Sequence, residues 1–536
     1  MLHPGVYVQE VPSGVRAIEG VATSVTIFVG ETERGPPTPQ FITGRTSYER
    51  LYGGYLRPDS SGTPVRCTMT YAIDLFFQNG GTRSIILRAI EDGSVTATRG
   101  AGADTVFTAS SPGAWGNNIT AILMVSSDGV SAHFRVAVFY QTPGATDFTL
   151  VENWDGLSPV EGDDNYAGDV LKRSAYIRFG NPATMPSADF ILGSTAGGAS
   201  GAMSPAEMTQ NDITTVATGA SFGGANGTDG TNGEGSYAGS MPDLLARLDG
   251  VDDAALIVNA MDLWTQSPNQ TDAEASYGAF RTYVDNRPKR DLFYIADVIS
   301  RETDSADDAV SNTVSRVRNN MTTTDMAGLY YPHVIVRDPV GATRNATLTV
   351  PPSGLVAGLY GRTDSRRGVW KAPAGTEATI GGIVGLTHAF LDTHQDLLNP
   401  IGINALRTIP GAGTVIWGAR TLRPSSEWRY VPVRRTAMFL RKSIFNGIQW
   451  AVFEPNDEDL WQSLRASVGS FMETQFRNGA FAGATSKEAY FVLCDASTTD
   501  EIDQTNGVVN LLVGFAPLRP AEFVVVKLSQ KTNISF

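Results

Sequence analysis

The side chains able to do chemistry are few and poorly spaced for it. His388 and His394 are six positions apart, so a helix would turn them to different faces, while Asp392 sits four from His388. A His/Asp pair without further partners reads as surface or core rather than as a metal ligand set. Gly227–Gly235 (GTDGTNGEG) has the flavour of a calcium loop but lacks its full ligand spacing and closing Glu, so a flexible turn is the plainer reading. H-E-x-x-H and the Walker lysine motif are both missing. The sequence therefore points away from an enzyme, and no catalytic, cofactor or metal residue is assigned. The charged clusters suggest contact chemistry instead. Arg429, Arg434, Arg435, Arg441 and Lys442 crowd one stretch, either as a solvated face or internal ion-pair set, or as a contact with another chain. Asp457, Glu458 and Asp459 open the next helix, where acids match the positive end of the helix dipole.

The whole chain sets the limits on function. Its 536 residues suffice for several domains with substantial cores. Apolar content of 42% and charged content of 18% are ordinary for a folded protein. A net charge of −14 excludes a general nucleic-acid binder, which needs a basic surface. Cys67 and Cys494 are too few for a disulfide framework and read as two free buried thiols. The opening MLHPGVYVQE shows no secretory pattern and no apolar run reaches membrane-span length, so synthesis in the cytoplasm is expected.

The elements alternate in α/β order around one informative stretch, Leu398 to Asp459. There Gly413 to Ala419 reads as a buried strand. Pro432 starts a helix whose face is Val433, Ala437, Leu440 and Ile444, with Asn446–Gly447 as its stop. Ile448 to Phe453 (IQWAVF) reads as a second strand and Glu454 to Asp457 as a turn. Upstream, strands are expected at Thr23 to Gly30 and Arg83 to Ile90. Helices are expected from Thr46 or Ser47 to Tyr52 and from Thr68 to Asn79. From Val95 to Ser240 the texture changes. Ala132 to Tyr140 alternates like a half-exposed antiparallel strand, Phe148 to Asn153 reads as its neighbour, and Tyr166 to Phe179 as a helix. Gly193 to Gly239 is too poor in apolar residues for a core and reads as a surface loop. Beyond it come strands at Ala254 to Met261, Asp291 to Ser300 and Tyr330 to Arg337, interleaved with helices at Asp272 to Asn286 and Asp304 to Asn320. Asn456 is placed to cap the helix to Arg477, and Trp417, Trp428 and Trp450 are expected in the core. Strands at Tyr490 to Cys494, Val508 to Phe515 and Glu522 to Leu528 close the chain. The last of these and Val6-Tyr7-Val8 are bare terminal strands, whose unpaired backbone groups recruit other chains.

LNPIGIN, VIWGARTL, WRYVPVRR and IQWAVFEPN, in this order from Leu398, resemble the C-terminal core of contractile tail sheath proteins. HPGVYVQEV at the start, FFQNGGTRSIILRA from Phe76, SPGAWGNNI from Ser111, GTDG from Gly227, PPSGLVAGLYGRTDSRRGVWKAPA from Pro351 and APLRPAEFVVVKLSQ from Ala516 resemble further sheath segments, also in order. The Gly-rich region matches no particular subfamily. The resemblance implies a multidomain α/β (α+β) protein whose mixed-sheet inner core is built from both ends of the chain. It implies an N-terminal arm (1–20), a first core segment (21–94), an outward β-rich insertion (95–240), a middle α/β domain (241–370), a C-terminal inner core (371–518) and a C-terminal arm (519–536). It further implies that Val6, Tyr7 and Val8, and Phe523, Val524, Val525, Val526, Lys527 and Leu528, add strands to neighbouring subunits. Arg434, Arg435, Arg441, Lys442, Asp457, Glu458 and Asp459 become candidate contacts with an inner tube or other subunits. The implied partners are further copies of the chain, with or without a sheath paralogue, an inner tube protein, and baseplate and terminal cap proteins. No direct nucleic-acid partner and no membrane insertion by this chain are expected. The alternative is an adhesin or surface-layer subunit with the insertion as its recognition domain.

Overall fold

The computed structural model describes residues 16–58, 63–90, 94–100, 105–183, 185, 193–194, 200–201, 208, 210, 213, 241–261, 270–298, 305–425 and 427–523. Its largest element is an eight-stranded sheet. In chain order the strands of this and the two smaller sheets used below are β1 (Thr26–Gly30), β2 (Gln40–Ile42), β3 (Ser84–Arg88), β4 (Ile119–Val125), β5 (Phe134–Tyr140), β6 (Thr149–Leu157), β7 (Leu256–Asn259), β8 (Phe293–Asp297), β9 (Ala327–Tyr331), β10 (Ile403–Ile409), β11 (Gly413–Ile416), β12 (Tyr490–Leu493) and β13 (Leu512–Phe515). The helices that matter are α1 (Arg45–Tyr52), α2 (Thr68–Gln78), α3 (Gln270–Asn286), α4 (Ala306–Asn320), α5 (Ser353–Arg367), α6 (Val431–Gly447) and α7 (Glu458–Arg477).

Across the large sheet the order is β2-β3-β1-β7-β8-β9-β10-β11. The six inner strands are parallel, and β2 and β11 run antiparallel at the two edges. β1 sits between β3 and β7, with Ile27 level with Ile85 on one side and Ile257 on the other. Segments from both sides of the 95–240 region thus share one sheet. The inner strands are near-continuous apolar runs because parallel sheets are covered on both faces. Every residue of β1, β3, β8 and β9 is buried.

Helices α2 and α5 pack together on β1, β7 and β8. Their approach depends on two glycines. A Cβ at Gly354 would lie 2.5 Å from the Ala72 carbonyl oxygen, and one at Gly358 would lie 2.3 Å from that of Phe76. Any side chain there forces the backbones apart.

Between β3 and β7 lies a separate β-rich body. β4 and β5 pair antiparallel from Ile119 with Tyr140 to Val125 with Phe134, and β6 flanks β5. Its own core contains Trp115, Val136, Val138, Leu157 and Ile177. A buried polar knot joins it to the large sheet. The Tyr140 hydroxyl donates to Glu33 Oε1 at 2.7 Å, Arg34 pairs with the same carboxylate at 2.9 Å, and the Arg34 guanidinium lies 4.6 Å over the Tyr176 ring. Most of the 193–239 stretch, including GTDGTNGEG, lies outside the described residues.

Several sequence expectations are corrected here. Ile448 to Phe453 is a 3-10 turn at Gln449–Ala451 rather than a strand, because the chain must reverse between α6 and α7. Tyr166 to Phe179 is a short helix (Ala167–Val170), a 3-10 turn and a strand (Ile177–Phe179). Ser174 and Glu152 accept the backbone donors of Ala175, Tyr176 and Ile177, which breaks the helix, and the strand pairs with Phe107–Ala109. Tyr330 to Arg337 is two strands, since Pro332 has no N–H to continue β9, and Val334–Arg337 pairs elsewhere with Thr347–Val350. β5 is buried on both faces. Ala137 and Phe139 pack with Ile122, Met124, Met208 and Ile213 on the side expected to meet water. Asp457, one residue after Asn456, caps α7 by accepting from Leu460 N at 3.0 Å. Gly44 stands at the start of α1 in place of a capping Thr46 or Ser47.

Two outcomes test this packing. Gly358→Ala should cost about 1–3 kcal/mol by overpacking α5 on α2, read as a lower denaturation midpoint. At the end of β8, Asp297 accepts from Ser353 N at 2.8 Å, and burial pushes its carboxyl up to about 7 against that donor and nearby His333. The unfolded chain releases this proton near pH ~4. The native state therefore binds more protons between those values, and stability falls as pH rises through that window. Asp297→Asn should raise the melting midpoint by about 2–4 °C at pH 8 and leave it unchanged near pH 4. Equal shifts at both pH values would contradict this assignment.

Candidate assembly surface

The C-terminal unit starts from two helices. Phe439 of α6 and Phe471 of α7 hold their rings 6.1 Å apart. One upstream residue, Arg16, touches both Trp450 just after α6 and Ser467 within α7, so the helices run antiparallel. Leu440, Ile444, Val468, Phe471 and Met472 form their shared core.

On this pair lies a strap made of residues 16–25. Arg16 N donates to Ser467 Oγ at 3.1 Å, and its guanidinium sits 4.6 Å over the Trp450 ring. Ile18 lies against Gly447, where a Cβ would come within 2.6 Å of it. Val21 N donates to Ser443 Oγ at 3.1 Å. The Thr23 carbonyl accepts from Arg435 at 2.9 Å, after which the chain enters the large sheet as β1. The described chain therefore begins at Arg16 on the C-terminal unit. The sequence held a signal for this in Ser443, Ser467 and Gly447, small or polar residues on otherwise apolar helix faces.

β12 and β13 pair antiparallel, Tyr490 with Phe515 through Leu493 with Leu512. Tyr490, Val492, Val513 and Phe515 pack on the α6–α7 core. The opposite face exposes Phe491, Leu493 and Leu512, at 49%, 40% and 53%. Among the described residues no third strand joins this sheet, and only the bridge between Phe481 and Pro517 extends it. YFVL and LVGF hold neither charge nor proline, the usual devices that blunt an open edge. Two such strands alone are marginal in stability.

The last described residues are clamped to the body. Arg420 binds Glu522 through Nε at 2.9 Å and through Nη2, and also donates to the Asn399 carbonyl at 2.9 Å. The Tyr430 hydroxyl donates to the same carboxylate at 3.3 Å. Leu518 to Phe523 wall one side of a 1090 Å³ cleft that Trp417 and Arg420 also line. Phe523 is 76% exposed.

With this geometry in hand, comparison settles the family. The phage tail sheath protein central domain matches residues 243–422 and the phage tail sheath C-terminal domain matches 423–531, together more than half of the chain. The chain belongs to the phage tail sheath family. Its relatives include the tail sheath protein of Vibrio phage KVP40, 28% identical over 193 residues, 35% of this chain and 27% of that protein. The tail sheath protein of Burkholderia phage BcepMu is 31% identical over 176 residues, 31% of this chain and 35% of that protein. The chain thus matches between about a quarter and about a third of these curated relatives' lengths. The sheath of the anti-feeding prophage, solved in its contracted state, covers 98% of this chain and 99% of its own with a TM-score of 0.57. At 22% identity that likeness speaks for the fold, a mixed α/β architecture, and for the fold alone.

The charged residues singled out in this sheath chain separate into two groups. Arg435 is buried, pairs with Asp364 at 2.6 Å and lies 4.6 Å over the Tyr360 ring. Lys442 is buried on Asp291 at 2.9 Å and on the Ala254 carbonyl at 2.8 Å. Both serve as internal ties and are out of reach of another chain. Arg434 and Arg441, and Glu458 and Asp459, stand at the surface or close to it, with Asp457 as the α7 cap. Val6, Tyr7 and Val8, and Val524 to Leu528, lie outside the described residues. The tryptophans depart from expectation. Trp417 is 37% exposed, and Trp428 and Trp450 are half-buried beneath Arg434 and Arg16. His394 pairs with Asp307 at 2.7 Å, while Asp392 pairs with Arg407 at 2.8 Å and leaves His388 packed by Tyr331 and Phe390. Among the described residues no three metal-ligating side chains converge, and no helix is long and apolar enough to cross a membrane. Cys67 and Cys494 are buried free thiols.

Glu522→Gln should loosen the arm root at a cost of about 1–3 kcal/mol, because it removes a charged partner from Arg420. Limited proteolysis should then cut after residue 515 several times faster, with the helical content unchanged.

Proposed function

We propose that this sheath subunit polymerises head to tail into a helical sleeve around an inner tube. The sleeve is held there in an extended, kinetically trapped state and drives the tube through a target envelope when it shortens. The observation that carries this reading is the bare, uncharged, two-stranded β12–β13 sheet beside the points from which both chain ends depart. Strands from neighbouring copies complete it by β-augmentation, Val6-Tyr7-Val8 from one and Phe523 to Leu528 from another, linked mainly through backbone hydrogen bonds. Head-to-tail contacts that do not close into a ring propagate as a helix. Backbone links of this kind let subunits re-pack during shortening while the arms hold them together.

The insertion (95–240) faces outward, and the segments 21–94, 241–370 and 371–518 form the body nearer the tube. The other partners are the tube protein and the baseplate and cap at the two ends of the sleeve, with or without a sheath paralogue. The protein works as a structural part of the assembled particle, with no reaction of its own. The adhesin or surface-layer alternative is set aside by membership of the sheath family.

Electron microscopy of the purified chain tests the proposal. The full chain should form long hollow helices, and deletion of residues 1–15 should leave a folded monomer without them. Tubes of unchanged length from the deletion variant would refute the tether role, and a full chain that stays monomeric would refute the sleeve.

A further inference from the structure

Cations outnumber anions where α6 begins. Asp325, buried just ahead of β9, lies 3.7 Å from Arg290, 3.9 Å from Arg423 and 3.4 Å from Arg434. Arg441 follows two turns along α6, exposed, donating to the Pro288 carbonyl at 3.4 Å. Arg429, also exposed, donates to the Pro424 carbonyl at 2.5 Å. Among the described residues, further anions in these segments include Asp285, paired with Arg281 at 3.4 Å, and exposed Glu427. One buried carboxylate shared loosely among three guanidiniums leaves positive charge over on a chain whose net charge is −14.

Two of these guanidiniums, those of Arg290 and Arg434, are also poorly satisfied among the described residues. Arg290 Nε is buried without a hydrogen-bond partner among the described residues. Arg434 directs Nε and Nη2 at the Met326 sulfur, 3.1 and 2.8 Å away, and a thioether is a weak acceptor. Burial pushes the Arg434 pKa down; Asp325 opposes this, and Arg290 and Arg441 add to it. Left in this state, the cluster fits carboxylates from outside, since arginine pairs most strongly with them.

The far end of the same helix pair carries the opposite sign. Glu454, Asp457, Glu458 and Asp459 are all exposed there, and Arg465 is the cation that answers them, at 2.7 Å from Glu458. Because α6 and α7 are antiparallel and cross at Phe439 and Phe471, helix rise puts Arg434 and Asp459 about 25 Å apart. They cannot meet within one copy.

We infer that the Arg290/Arg423/Arg434/Arg441 cluster of one subunit receives the acidic start of α7, Glu454 to Asp459, from a second copy of this chain. The inference rests on the sleeve reading and names one of its head-to-tail contacts. Complementary patches at opposite ends of one helix pair give a contact that propagates and does not close.

Three variants test it alongside the full chain. One carries Arg290→Glu with Arg423→Glu, one carries Glu458→Lys with Asp459→Lys, and one carries all four. Each reversal alone should cut tube yield about tenfold or more, since like charges facing one another cost several kcal/mol. Thermal melting should be unchanged, and the fourfold variant should regain tubes. If a melt shifts, Arg423→Glu and Asp459→Lys, both exposed, are made singly and together in its place. Wild-type yield from either reversal, or a fourfold variant no better than its halves, would overturn the contact. So would reversals that polymerise normally yet no longer hold the inner tube, which would assign the cluster to that partner. The unaltered chain is the control: if it forms no tubes, the sleeve reading itself has failed.

Discussion

The buried ion pair between Arg435 and Asp364 is the constraint on which the rest of the molecule depends. Arg435 belongs to α6, Asp364 to the end of α5, and the same guanidinium holds the Thr23 carbonyl just ahead of β1. Thr23 donates its hydroxyl to Asp364 at 2.6 Å. Three distant stretches of chain are thereby fixed at one point. Lys442 and Arg287 sharing Asp291 repeat the device two turns along α6. Removing one member of such a set leaves a charge buried without compensation, which is why α6 has essentially one place to sit. The strap, the antiparallel α7 and the open sheet all take their positions from it.

The α/β layout was legible because parallel strands buried on both faces leave apolar runs that periodicity finds, as at Thr26–Gly30 and Phe293–Asp297. What failed was local. IQWAVF has strand composition, yet its Trp450 serves Arg16 of the strap, a partner more than four hundred residues away in sequence. The run from Tyr166 to Phe179 fits a helix until the Glu152 carboxylate and the Ser174 hydroxyl claim its backbone donors. Strict alternation in Phe134 to Tyr140 suggested one wet face, but the second face meets Met208 and Ile213, again from far along the chain.

Charge was harder to read than hydrophobicity. Arg434, Arg435, Arg441 and Lys442 look alike as a run, and helix geometry deals them to different faces of α6. Arg435 and Lys442 turn toward the sheet, and Arg434 and Arg441 toward the surface. No single-residue property separates those fates. Asp364 and Asp291, which decide the matter, are remote in sequence. The tryptophans went the same way: a large ring signals burial, while here each of two rings is a flat seat for a guanidinium.

The placement of β1 has a mechanical consequence. The strap feeds directly into a strand with a parallel neighbour on either side, β3 and β7. Tension applied at the amino terminus runs along that strand, across the direction of its hydrogen bonds. Both ladders then carry the load in shear, all rungs together, whereas an edge strand would be unzipped one rung at a time. A pull on this end is thus delivered to a strand held on both sides, and the sheet takes the load as one body.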